Sequence, residues 1–154
     1  MTAAGTTWDG LPISEELPHG VTVVVYRWVG GRLEVLLLHR AHRGPAYEGD
    51  WAWTPPAGSR FPGEPVEACA RRELREEAGL ELELRPTACG SAAWYVYAAQ
   101  APPEAAVTVA HDPEHDRFAW VPAGEAVARC RPAVVAESLA CVVALIGQGG
   151  PGAA

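Results

Sequence analysis

Val66-Glu67-Ala68-Cys69-Ala70-Arg71-Arg72-Glu73-Leu74-Arg75-Glu76-Glu77-Ala78, followed by Gly79-Leu80, is the stretch on which the reading of this chain turns. Val66, Ala70 and Leu74 recur at i, i+4 and i+8, an apolar stripe with the period of an α-helix. Pro65 suits the first helical position, and Gly79 is placed to close the helix in the left-handed conformation. Glu73, Glu76 and Glu77 stand at i, i+3 and i+4, so their carboxylates share one face, while Leu74 points about a quarter-turn away toward a core.

These acids crowd the last turns, where the helix dipole is negative and favours cations. Dipole and mutual repulsion both oppose them, each by roughly a few tenths of a kcal/mol or more. The plain alternative is a solvated charged face partly neutralised by Arg71, Arg72 and Arg75. A hard divalent cation supplies what the arrangement lacks, because it takes oxygen ligands and bridges carboxylates to phosphates.

Outward from the helix, Val21–Tyr26 and Leu33–His39 read as strands joined through Val29-Gly30-Gly31 as a hairpin turn. The polar loop Ala41–Asp50 leads to a short aromatic strand, Trp51–Thr54, which Pro55-Pro56 ends by removing backbone donors. Beyond the helix, strands are expected at Leu82–Arg85, Ala93–Ala99 and Phe118–Val121, and a last helix from about Ala133 to Ile146, opened by Pro132. Strands before, between and after helices predict one α/β (α+β) domain over residues 1–154, with a mixed sheet and flanking helices. Met1–Gly10 and Gly147–Ala154 are small, Gly-rich and unpatterned, as frayed termini are.

With 154 residues, about half of them apolar, the chain is long enough for a real core. A net charge of -7 argues against a general nucleic-acid binder, which needs a cationic face. All 12 basic residues are Arg, so phosphate contacts would come from guanidinium groups, backbone N–H groups or a bound cation. Cys69, Cys89, Cys130 and Cys141 are widely spaced, which indicates neither a zinc site nor a disulfide framework; buried thiols in a reducing compartment are expected. No apolar run is long enough to span a bilayer and the N-terminus carries no export pattern, so the default location is cytoplasmic.

The residues around the helix fill a longer pattern: Gly58, five residues, Glu64, seven residues, then Arg72-Glu73-Leu74-Arg75-Glu76-Glu77-Ala78-Gly79-Leu80. This resembles the box of the Nudix (MutT-like) hydrolases at every specified position, a match that average residue usage produces roughly once in 10⁹ starting positions. The resemblance implies an α/β/α sandwich and a hydrolase that cleaves a pyrophosphate linkage in a nucleotide-type small molecule. It implies Mg²⁺, or Mn²⁺ in its place, held by Glu73, Glu76 and Glu77 and the Gly58 carbonyl, with Glu77 the principal ligand. Arg72 would orient the acids and Glu64 would hold the loop by pairing with Arg72, while Gly79 is structural. A homodimer is a further family expectation.

Glu114, in Pro113-Glu114-His115-Asp116-Arg117-Phe118-Ala119-Trp120, resembles the Glu-His segment before a Trp-containing strand in several nucleotide-cleaving branches. It is the candidate base that takes a proton from the attacking water, with ligation of a further metal as the other role. His115 and His111 are alternative bases or phosphate contacts, although a lone loop histidine is more often simply exposed. Tyr47, Trp51 and Trp53 are candidates to stack a base, and alternation would place Trp51 and Trp53 on one sheet face; burial in the core is the competing fate.

Trp53-Thr54-Pro55-Pro56-Ala57-Gly58 resembles the lead-in to the box in asymmetric diadenosine tetraphosphate hydrolases, where a Lys commonly follows the prolines. Here Ala57 takes that position, and Arg40, Arg43 or Arg60 would have to supply the missing cation. The Glu114-His115 segment is equally similar to enzymes that hydrolyse deoxynucleoside or pterin triphosphates. The competing readings are a nucleotide-sensing module without turnover and an isomerase like that of isopentenyl diphosphate; the intact acids favour the hydrolase.

Overall fold

In the computed structural model, residues 5–7, 9–109 and 113–149 are described. His111 and the last residues of the Gly-rich C-terminus lie outside them. The elements are β1 (Gly20–Val29), β2 (Arg32–Arg40), β3 (Trp53–Thr54), β4 (Ala57–Ser59), α1 (Val66–Ala78), β5 (Arg85–Pro86), β6 (Trp94–Gln100), β7 (His115–Pro122), α2 (Ala123–Arg129) and α3 (Ala133–Gly149).

β1 and β2 form the expected antiparallel hairpin, with Val29 opposite Arg32 and both Gly30 and Gly31 at positive φ. Two such residues are what a tight hairpin turn with the native twist requires. The two strands pair only near the turn. Farther out, β1 pairs antiparallel with β4 through Gly20–Thr22, and β2 pairs with β3 through Leu38 and His39. The segment 53–59 therefore fills a fork between the diverging ends of the hairpin. On its other edges the hairpin is flanked by β6, parallel to β1, and β7, antiparallel to β2.

The alternation of side chains sends Val21, Val23, Val25, Leu36 and Leu38 to one face of the sheet, where Cys69, Ala70, Leu74 and Ala78 of α1 cover them. Val24, Val35, Leu37, Val96 and Ala98 face the other way, against Ala126 of α2 and Leu139 and Val142 of α3. Both faces are thus buried, which explains why β1 and β2 are nearly continuous apolar runs. The result is the expected α/β/α sandwich with a mixed sheet. No helix of the described residues is long and apolar enough to cross a membrane.

Several expectations need correction. Pro65 is the N-cap of α1 rather than its first helical residue, while the bounds Val66–Ala78 and the closure by Gly79, at φ 68° with its N–H donated to the Arg75 carbonyl, are as expected. Leu82–Leu84 is not a strand; only Arg85–Pro86 pairs, with Ala98 and Tyr97. Trp51 lies outside any strand, at φ 66°, so it does not share a sheet face with Trp53. Gly147–Gly149 continue α3 rather than fray. Most consequentially, Cys89 and Cys141, 52 residues apart in sequence, are joined by a disulfide. Spacing along the chain did not reveal that α3 packs beside the connection before β6. Cys69 and Cys130 are the buried free thiols that were expected.

Candidate active site

The fork in the hairpin builds the site. β4 enters it beside α1, and the backbone of Ala57 donates its N–H to Oε1 of Glu77 at 2.9 Å. One residue later, a Cβ added to Gly58 would fall on the carboxylate of Glu73. Glycine is required there by close approach. Gly58→Ala should therefore cost about 1–3 kcal/mol through overpacking and displace Glu73. Urea melts alongside turnover measurements check this: unaltered stability and rate would mean that the carboxylate has room to move.

Arg72 organises the acids. Its Nε and Nη2 donate to both oxygens of Glu64 at 2.8 and 3.0 Å, and Nη1 donates to Glu73 at 2.8 Å and Glu76 at 3.2 Å. Nη2 also donates to the Ser59 carbonyl at 3.0 Å, and the guanidinium stacks over Phe61 at 4.0 Å. Glu64 in turn accepts the Phe61 N–H at 3.1 Å, closing the loop before α1. Burial raises the Glu64 pKa, but hydrogen bonds from Arg72 and Phe61 outweigh it and hold the carboxyl below its ordinary value. Only a planar fork fits this bidentate geometry.

Of the clustered acids, Glu73 and Glu77 are buried and Glu76 is exposed. Burial pushes the Glu73 carboxyl up to about 7 against the pull of Arg72, and Glu76 and Glu114 add to the rise. A carboxyl with a folded value near 7 and an ordinary value of 4.5 holds a proton in the folded state that the unfolded chain releases. Its stabilising contribution is full below the ordinary value and is lost as pH rises through the folded one. Urea melts of metal-stripped protein should show stability falling across this window by on the order of 2 kcal/mol, relative to Glu73→Gln. Parallel pH profiles for the two proteins would exclude Glu73 as the cause.

Glu114 precedes β7, where a register shift between His39 and Arg40 sets Arg40 opposite His115. Arg40 Nη1 lies 3.5 Å from Glu114 Oε1. His115, an alternative base or phosphate contact whose competing fate was an exposed loop, is the first residue of β7 and only 5% exposed. Its Nδ1 lies 4.0 Å from Glu77 Oε2, and ligand atoms of Glu77, Glu114 and His115 all lie within 4.8 Å of one another. This group can hold a metal ion, and it shares only Glu77 with the ligand set expected from the box. The signal for His115 lies in its place next to Glu114 at the head of a strand, but the apolar residues that mark that strand begin only at Phe118.

A cleft of about 1230 Å³ brings Arg40, Trp51, Gly58, Arg72, Glu73, Glu76, Glu77 and Glu114 together. Arg75, exposed on the same helix, joins this lining, as do Thr6, Thr7 and Asp9 from the N-terminal segment expected to be frayed. The Trp51 side chain is exposed, the residue 46% so, and its backbone N–H donates to the Arg131 carbonyl at 2.7 Å.

Tyr47 and Trp53 do not line the cleft. Trp53 is 5% exposed, packs edge-on against His39, and donates its indole N–H to Glu48 at 2.7 Å. Tyr47 donates its hydroxyl to the Asp50 carbonyl at 3.0 Å. Nor do Arg43 and Arg60 reach it: Arg43 lies over the Tyr47 ring, and buried Arg60 donates to Ser14 at 3.1 Å. Among the proposed substitutes for a cation at Ala57, Arg40 alone is in the cleft lining.

The NUDIX domain profile matches residues 18–141, and the chain belongs to this family. Among solved structures, a C. elegans Ap4A hydrolase in a binary complex is 24% identical, with TM-score 0.64 over 84% of this chain and 97% of that one. The E. coli dihydroneopterin triphosphate pyrophosphohydrolase is 21% identical, with TM-score 0.64 over 86% and 99%. A Nudix hydrolase from M. Smegmatis, RenU, is 18% identical, with TM-score 0.71 over 96% of each chain. At these identities the likeness is one of fold. No curated protein matches the chain by sequence.

Proposed function

We propose that this protein is a Mg²⁺-dependent pyrophosphohydrolase of a small nucleotide-type substrate. The observation that carries the reading is the burial of Glu73 and Glu77 against β4, in one cleft with Glu76 and Glu114. The donor set fits a hard divalent cation: it is all oxygen apart from His115, and it concentrates negative charge that Arg72 only partly offsets. Glu73, Glu76 and Glu77 would hold the ion together with the Gly58 carbonyl. When bound, Mg²⁺, or Mn²⁺ in its place, supplies positive charge against phosphate oxygens and acidifies water.

The protein's own groups divide the remaining work. Glu114 takes the proton from the water that attacks phosphorus. Arg72 fixes the orientation of Glu73 and Glu76 through its Nη1. Arg40 and Arg75 offset the charge that grows on the phosphate oxygens as the anhydride bond breaks. Trp51 offers an aromatic face for the base at the exposed side of the cleft, a role worth about 1–3 kcal/mol. Products are two phosphorylated fragments, or a nucleotide and inorganic phosphate or pyrophosphate.

The reading is tested by phosphate and pyrophosphate release from nucleoside triphosphates, diadenosine polyphosphates, nucleotide sugars and dinucleotide cofactors, with and without Mg²⁺. Release that requires the metal is expected for at least one class; nucleotide binding without release from any would make the protein a sensor. Glu114→Gln should lower kcat about 100-fold while Mg²⁺ affinity is kept. A collapse of Mg²⁺ affinity in that variant would instead make Glu114 a ligand.

A further inference from the structure

One stretch of the cleft lining has its own construction. Gly90 and Ser91, from the connection between β5 and β6, and Trp94, the first residue of β6, line it together with Val134, Val135 and Leu139 of α3. The connection is compact: Ser91 and Trp94 exchange backbone hydrogen bonds at 2.9 and 3.3 Å, and the Trp94 indole donates to Thr22 Oγ1 at 2.8 Å. Cys89 is itself part of the cleft lining. Its disulfide partner, Cys141, lies two residues beyond Leu139 on α3. Among the described residues no hydrogen bond or ion pair joins residues 87–94 to α3; beyond apolar packing, the disulfide is their one directed link.

We propose that the Cys89–Cys141 disulfide is a reversible brace that positions α3 against the 89–94 connection and so sets how tightly the cleft grips the organic end of its substrate. This rests on the hydrolase reading above. An apolar subsite gains affinity from being held in its binding shape before the ligand arrives. The reacting phosphate belongs to the acids of α1 and to Glu114, none of which the disulfide touches. Loosening the brace therefore weakens substrate binding and leaves the chemical step in place.

The bond is open to exchange, because Cys89 is half-buried and Cys141 exposed. The other cysteines are not competitors: burial pushes the thiols of both Cys69 and Cys130 up to about 12. A dithiol reductant supplies the electrons. One of its thiolates attacks a sulfur of the pair, the displaced cysteine leaves and takes a proton, and the second reductant thiol closes on the first. Two electrons and two protons then reside on Cys89 and Cys141 as thiols, and the reductant departs as its own disulfide. In a reducing compartment, a disulfide of this accessibility is of the redox-sensing kind.

The test compares oxidised full-length protein, the same protein reduced with dithiothreitol, and the double variant Cys89→Ser, Cys141→Ser. Alkylation and mass measurement on the unfolded oxidised protein should count only the free thiols of Cys69 and Cys130. On reduction, KM for the best substrate of the panel should rise about tenfold with kcat within about twofold, and the double variant should match the reduced protein in either condition. Hydrogen exchange at residues 89–94 and 134–139 should quicken in step.

Four alkylated thiols before reduction, identical KM and exchange in the two redox forms, or a fall in kcat at constant KM would each overturn the brace. Absence of turnover for every compound would defeat the hydrolase reading alone. The brace is then decided by the exchange data and by ATP binding followed through tryptophan fluorescence, with about tenfold weaker binding on reduction expected and equal binding overturning it.

Discussion

Glu77→Gln is expected to lower kcat about 1000-fold, some 4 kcal/mol of transition-state stabilisation, while the fold persists. Glutamine keeps the shape and the oxygen that accepts the Ala57 N–H, so the contact between α1 and β4 survives. What disappears is one negative charge on a group only 3% exposed, at the centre of the acids. Without metal that loss is favourable, since it relieves repulsion near the negative end of the helix. The variant should melt at the same temperature as the parent in EDTA or slightly higher, and added Mg²⁺ should raise the melting temperature of the parent but not of the variant. Retained turnover, or unfolding, would count against Glu77 as the principal ligand.

Arg72→Ala should produce the largest loss of stability, about 3–5 kcal/mol, because it leaves the Glu64 and Glu73 carboxylates partly buried beside no cation. Its side chain is 14% exposed, so solvent does little to screen the pairs. For a domain of this size the melting temperature should fall by about 10 °C. Arg72→Lys should recover only part of this, since a lysine cannot bond both oxygens of Glu64 while reaching Glu73 and the Ser59 carbonyl. Calorimetry on the three proteins checks the order; a lysine variant as stable as the parent would show that charge alone matters.

The parts of this molecule that sequence revealed are those encoded locally. The helix from Val66 to Ala78, its closure by Gly79, the Gly30-Gly31 turn and the start of the last helix at Ala133 are each written in neighbouring residues. The box could be read because its spacing is fixed by the loop–helix geometry it forms. β4 could not be read: Ala57, Gly58 and Ser59 have little intrinsic strand preference, and they pair only because the diverging hairpin leaves them a place. The same holds for His115, buried by a strand that begins earlier than its apolar residues suggest, and for Cys89 and Cys141, which only tertiary packing brings together. Tyr47 and Trp53 show the limit of residue type as evidence, because aromatic groups near a box serve packing as readily as binding.

Trp51 holds one more consequence. Its backbone sits in the left-handed region, where a bulky side chain costs about 1–2 kcal/mol and glycine costs nothing comparable. A search for thermostable variants would thus be drawn to glycine at this position, and each success would strip an exposed aromatic face from the cleft lining.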